Sequence, residues 1–292
     1  MKSISASIYV AGIAFFLILC SYSSNTNSQA MKMQCEIKGN GKPLVLVGGG
    51  LTGWASWEPF VKDFAKSRKV IRVQLLAVQW GLENNPLPED YSIKTESRAL
   101  ASTLYSLDII MPVDVVAWSY GAFTSLDFAL DHPDYIRTLT LIEPPAIWVL
   151  RETGKWNEKT QETADFFETQ KGDIPKDMLA EFLQRAGLVP PGKSARELPQ
   201  WNSWVPYRNS LRANPSVVSF RDELYRLNNF QSPVLLVKGI GSTAYLHQII
   251  DDLADHLPNS QVVEFPSGHA PHIVSRDKFL STLEQFHNEF KD

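Results

Sequence analysis

The sequence predicts an α/β fold: a mainly parallel sheet with helices on both faces. Three observations carry this. From Gln34 onward short apolar runs alternate with helical patterns, the runs are mostly β-branched or leucine-rich, and the alternation is interrupted once, between Ala146 and Gln231, before it resumes. A strand covered by helices on both sides reads as a continuous apolar run, and that is what these segments show. Strands are expected at Pro43 to Val47, Val70 to Leu76, Val113 to Trp118, Ile136 to Ile142, Pro233 to Lys238 and Gln261 to Phe265. Helices are expected at Trp57 to Lys66, Thr95 to Leu107, Ala122 to Asp131, Ala244 to His256 and Lys278 to Phe290. Pro133 closes the third, because its ring clashes with the preceding turn.

The interrupted segment reads as helices broken by Pro175, Pro190, Pro191, Pro199, Pro206 and Pro215. The economical organisation is a sheet-bearing core in two parts, residues 31–145 and 232–292, with a helical lobe over residues 146–231 inserted as a cap above the strand ends. The lobe holds Trp148, Trp156, Trp201 and Trp204, half of the chain's eight tryptophans. Such side chains either form the lobe's own core or line an apolar substrate pocket. Trp148, with Trp118 of the third strand, stands as a candidate pocket residue.

Composition narrows the functional classes. The chain has 292 residues, 44% of them hydrophobic, and a net charge of −4, so no broad positive field exists to hold nucleic acid or an anionic membrane. The only cysteines are Cys20 and Cys35, which excludes a disulfide framework and a Cys-rich zinc site. No metal or other cofactor is expected, and the expected partner is a small-molecule substrate. At the N-terminus, Lys2 precedes an apolar run from Ile8 to Cys20 and a polar stretch from Ser21 to Ala30. A run this short of the roughly 20 residues that cross a bilayer reads as a secretory signal, giving a secreted or periplasmic protein. Two alternatives stand: membrane attachment through residues 1–30, if they are uncleaved or are lipidated at Cys20, and a cytoplasmic protein that starts at Met31.

The strongest chemical signal is Val113-Asp-Val-Val-Ala-Trp-Ser-Tyr-Gly-Ala122, in which an apolar strand runs straight through Ser119 into a helical pattern. A serine on so sharp a turn is forced out of the sheet with its hydroxyl exposed, and small residues two positions either side, Ala117 and Gly121, let neighbouring backbone approach. The following helix aims its N-terminal dipole at the same point. A serine hydroxyl is a poor nucleophile at neutral pH, so a histidine must take its proton. Of six histidines, His269 lies in a Gly- and Pro-punctuated loop after the last strand, with His272 as its local rival. Negative charge on a tetrahedral intermediate needs backbone N–H donors, for which Tyr120 and the Gly50 or Leu51 amide of the Gly48-Gly49-Gly50 loop are the candidates. That loop lacks the Lys-Ser/Thr pair of a phosphate-binding loop.

With these residues in view, the chain resembles the α/β-hydrolase fold superfamily from about Gln34 to the C-terminus, the cap falling where many members carry one. The resemblance rests on the elbow at Ser119, on Pro43-Leu-Val-Leu-Val-Gly-Gly-Gly-Leu51, on Asp131-His-Pro-Asp-Tyr-Ile-Arg137 leading to Glu143-Pro-Pro145, and on Gly268-His-Ala-Pro-His272. It implies a cofactor-free serine hydrolase. Members that cleave carbon–halogen bonds or epoxides carry Asp at the elbow, so Ser119 points to acyl chemistry. The pattern departs at the acid: the usual Asp after the strand at Pro233 to Lys238 is replaced by Gly239-Ile-Gly-Ser-Thr243. Glu143, at the end of the preceding strand, is the leading candidate, with Asp251 and Asp252 as alternatives. The expected activity is therefore cleavage of a carboxylester, lactone or thioester of a small apolar substrate through Ser119, His269 and Glu143. Carbon–carbon bond hydrolysis on the same residues, and a catalytically silent small-molecule binding protein, are the competing readings.

Overall fold

The structure, a computed structural model of the chain, describes residues 31–109 and 112–290. The expected N-terminal signal or anchor would fall on residues 1–30, outside the described residues. Seven strands form one sheet: β1 (Cys35–Lys38), β2 (Lys42–Val47), β3 (Arg68–Val73), β4 (Val113–Trp118), β5 (Ile136–Ile142), β6 (Val234–Gly239) and β7 (Ser260–Phe265). Their order across the sheet is β1-β3-β2-β4-β5-β6-β7. All neighbours run parallel except β1, which pairs antiparallel with β3 at one edge.

Side-chain alternation divides the core between the two faces. Leu44 and Leu46 of β2, Val116 of β4 and Val237 of β6 pack with Trp57, Phe60, Phe265, Phe279 and Phe286. Val45, Val47, Val115, Leu139 and Leu236 point the other way, into a larger cluster with Leu100, Phe123 and Ile249. The first face is covered by α1 (Glu58–Phe64) and the helix Arg276–Glu289. The second is covered by α2 (Leu76–Leu82), α3 (Ile93–Ser106), α4 (Tyr120–Asp131) and the helix Ala244–His256. This double cover is why the central strands are largely apolar, as in β4, whose six residues are all buried and, Asp114 apart, apolar.

Two elements depart from the sequence expectation. The run expected to continue as strand to Leu76 ends at Val73, and α2 begins at Leu76, where the Glu96 carboxylate accepts the Leu76 and Ala77 N–H groups at 2.9 and 2.8 Å. A buried acid on the first turn satisfies two orphan donors and starts the helix early. The edge strand β1 was not expected, because its residues Glu36, Ile37 and Lys38 are exposed and carry no core pattern.

Between β5 and β6 the chain is helical, from Trp148–Glu152 to Leu224–Asn228. This insertion builds its own apolar cluster from Ile174, Leu179, Leu183, Val189 and Leu211, against which Trp201 and Trp204 pack, and Leu51 from the loop after β2 joins it. Among the described residues no helix is long and apolar enough to cross a membrane.

Candidate active site

The parallel sheet delivers three loops to one end. β4 ends at Trp118, Ser119 follows with φ 54° and ψ −124°, and α4 starts at Tyr120. Positive φ is costly for a side-chain-bearing residue, and the neighbours hold it: the Ser119 N–H donates to the Ile142 carbonyl of β5 at 2.8 Å. A Cβ added at Gly121 would land on the Gly48 carbonyl oxygen, so only glycine lets α4 approach the loop after β2 this closely.

His269 sits in the loop between β7 and the helix Pro271–Val274. Its carbonyl accepts from the Trp118 indole Nε1 at 2.7 Å, and its backbone N–H donates to the Gly187 carbonyl of the insertion at 3.2 Å. The ring is thereby turned edge-on between two partners: Nε2 lies 2.8 Å from Ser119 Oγ and Nδ1 lies 2.7 Å from Glu143 Oε2. A carboxylate facing Nδ1 requires the proton there, which leaves Nε2 as the acceptor toward the serine hydroxyl.

Glu143 is wholly buried and, like Ser119, has a positive φ of 45°. Its carboxylate accepts from three directions: the His269 ring, the Ser242 hydroxyl at 2.7 Å to Oε2, and the Gly239 N–H at 2.7 Å to Oε1. The loop after β6, which lacks a carboxylate, thus supplies donors to one arriving from β5. Ser242 and the Gly239 amide are partners that sequence reasoning missed; the Asp-free loop was the one available signal.

The other acid candidates lie elsewhere. Asp251 is on the surface and pairs with Lys238 at 2.7 Å. Asp252 is buried but bonds to the Thr153 hydroxyl at 2.8 Å and ion-pairs with Lys155. His272 is not a rival for the serine, since it is fully buried among Trp57, Phe60, Trp118 and Phe279. Burial, with His269 nearby, pushes its imidazole down to about 3, so it stays neutral.

Around Ser119 lies a cavity bounded by Gly49, Gly50, Leu51, Trp118 and Tyr120 on the core side, and by Phe167, Phe182 and Leu211 of the insertion. The amides of Leu51 and Tyr120 donate to no backbone carbonyl among the described residues, leaving both free for a ligand oxygen. The Tyr120 side chain is anchored behind the site, its hydroxyl 2.9 Å from that of Tyr91 and 2.8 Å from that of Ser216. Tyr91 in turn donates to buried Glu96 at 2.7 Å. Trp118 lines the cavity, but Trp148 does not. It is 1% exposed, in the core against Phe220, because the turn at Pro145 and the short helix Trp148–Glu152 aim it at the sheet's helical layer. The polar groups of the cavity wall include Asn214, whose Nδ2 donates to Gln170 at 2.6 Å, and Tyr245, whose phenol burial holds well above its usual range. Among the described residues no group of three or more His, Cys, Asp or Glu side chains could hold a metal ion.

A serine hydroxyl, an imidazole and a carboxylate in one hydrogen-bonded line, facing a small cavity with free amides, form an arrangement able to carry out acyl transfer. A family model described as the alpha/beta hydrolase fold matches residues 42–275. The chain belongs to the α/β-hydrolase family. Among its relatives, a pimeloyl-[acyl-carrier protein] methyl ester esterase of Nitrosomonas europaea is 25% identical over 260 residues, covering 85% of this chain and 97% of that protein. A 2-hydroxy-6-oxo-2,4-heptadienoate hydrolase of Pseudomonas putida is 34% identical over 107 residues, only 36% of this chain and 38% of that protein. In structure the chain is similar to a thermophilic esterase from Thermogutta terrifontis, with a TM-score of 0.71 at 17% identity over 89% of this chain and 94% of that one.

Proposed function

We propose that the protein is a serine hydrolase that cleaves a small apolar ester-like substrate, a carboxylester, lactone or thioester, through an acyl-enzyme on Ser119. The observation that carries this is the unbroken line from Ser119 Oγ through the His269 ring to the buried Glu143 carboxylate, at 2.8 and 2.7 Å. As Oγ attacks the carbonyl carbon, its proton passes to His269 Nε2, and the imidazolium formed is stabilised by Glu143. The oxyanion is held by the N–H groups of Tyr120 and Leu51, with Gly50 permitting the close approach. His269 then gives the proton to the leaving oxygen or sulfur. Water, deprotonated by the same ring, releases the acid and restores Ser119.

The carbon–carbon hydrolase reading draws on the 34% identity over 107 residues to a dienoate hydrolase. A dienoate carries a carboxylate, and none of the residues lining the cavity is lysine or arginine, which favours the ester. The silent binding-protein reading loses its motive, since the acid missing after β6 is supplied from β5. With p-nitrophenyl acetate, the wild-type protein is expected to release a burst of one equivalent of p-nitrophenolate before a slower steady rate, and Ser119→Ala to show neither. Retention of a tenth or more of the rate in Ser119→Ala would overturn the proposal.

A further inference from the structure

The cavity at Ser119 lies against a second space of a different character. The cavity has an open volume of about 30 Å³, room for roughly two waters. Beside it lies a cleft of about 470 Å³, within the roughly 300–1,000 Å³ of small-molecule sites. Leu51, Trp118 and Leu188 line both, so the two spaces are adjacent and share one wall. The cleft runs between the insertion, at Trp204 and Tyr207, and the segment following His269, at Ala270, Ile273 and Val274. Ile273 and Val274 are 44% and 67% exposed, apolar surface left open at its rim.

Which half of an ester enters the cleft follows from the proton's path. His269 Nε2, having taken the serine proton, must hand it to the leaving group, so the leaving group lies on the histidine side of the reacting carbon. The segment after His269 forms one wall of the cleft. The acyl half is left with the small chamber closed by Phe167, Phe182 and Tyr245. Resting on the hydrolase reading above, we propose that the preferred substrate is an ester of a short acyl group with an elongated apolar alcohol, the alcohol lying in the cleft between Val274 and Trp204.

Two ester series test this: acetates of linear alcohols from methanol to decanol, and methyl esters of linear acids from acetic to decanoic. Each methylene buried in the cleft is expected to raise kcat/KM about threefold to fourfold along the alcohol series until the cleft is filled. The acyl series is expected to fall beyond three carbons. Val274→Asp, which sets a charge on the cleft wall, is expected to flatten the alcohol slope. A rising acyl series, equal slopes in both, or an alcohol slope unchanged by Val274→Asp overturns the partition. In those cases the p-nitrophenyl acetate burst persists, so the hydrolase reading survives; loss of the burst together with all ester turnover sinks both.

Discussion

At the scale of single residues, Glu143 and His272 show how burial assigns opposite tasks to ionisable groups beside one ring. The Glu143 carboxylate is wholly buried, and three donors hold it in place, so its expected role is to fix the His269 tautomer and stabilise the imidazolium. Glu143→Gln presents an amide to Nδ1 and favours the wrong tautomer. It is expected to lower kcat by about 10²–10⁴ with a small change in KM, whereas Asp251→Asn, on the surface, stays within about twofold. Matched losses in the two variants would remove the assignment. His272 faces aromatic rings and has no hydrogen-bond partner among the described residues. Held neutral in the folded state down to about pH 3 but protonated in the unfolded chain below about 6.5, it favours unfolding as pH falls between those values. Its stabilisation is complete above pH 6.5 and is lost toward pH 3, on the order of a few kcal/mol. Buried Glu96, whose carboxyl burial raises, contributes with the opposite sign, so the comparison is between variants. Urea midpoints of His272→Phe against wild type, followed from pH 7 to 4, are expected to show the shallower slope in the variant; parallel slopes would contradict it.

At the scale of elements, the site is a meeting of loops, and the insertion is tied to it. A Cβ on Gly268 would land on the Gly187 carbonyl oxygen, the same oxygen that accepts the His269 N–H. Gly268→Ala is therefore expected to move the His269 loop off the insertion, reducing kcat/KM about 100-fold while thermal unfolding shifts by a few degrees. Activity within threefold of wild type would mean that the contact does not position the ring. The same scale explains what the sequence could disclose. The central strands were legible because helices cover both their faces, and the elbow was legible because strand, serine and helix are contiguous. Edge strand β1, with one face in water, carries no such pattern. The start of α2 was hidden because Leu75-Leu76-Ala77-Val78 continues the apolar run of β3, and only the distant Glu96 decides where the helix begins. Glu143 remained one candidate of three because its partners Ser242 and His269 lie about 100 residues or more away in sequence. Trp148 was misplaced because composition shows that the insertion is aromatic without showing which rings face the sheet.

At the scale of the whole molecule, the parallel sheet separates stability from chemistry. Asp114, second residue of β4, is fully buried and pairs with Arg68 at the start of β3 and Arg137 at the start of β5, with the Thr138 hydroxyl donating at 2.6 Å. Ser119 lies at the other end of the same strand, roughly 16 Å away. Asp114→Ala strands two guanidiniums that keep some contact with water, at 15% and 17% side-chain exposure, so the expected loss is about 3 kcal/mol. Denaturant melts would show that loss, and kcat below the unfolding transition would stay near wild type; a proportional fall in kcat would show that the two ends are coupled.

The claim beneath all of this is that Ser119 is a nucleophile activated in place. Mass spectrometry after treatment with an alkyl fluorophosphonate measures it most directly. One phosphonyl group on the peptide bearing Ser119, and none on Ser119→Ala, is the predicted result. An unmodified protein, or an adduct on any other residue with Ser119 intact, would contradict it.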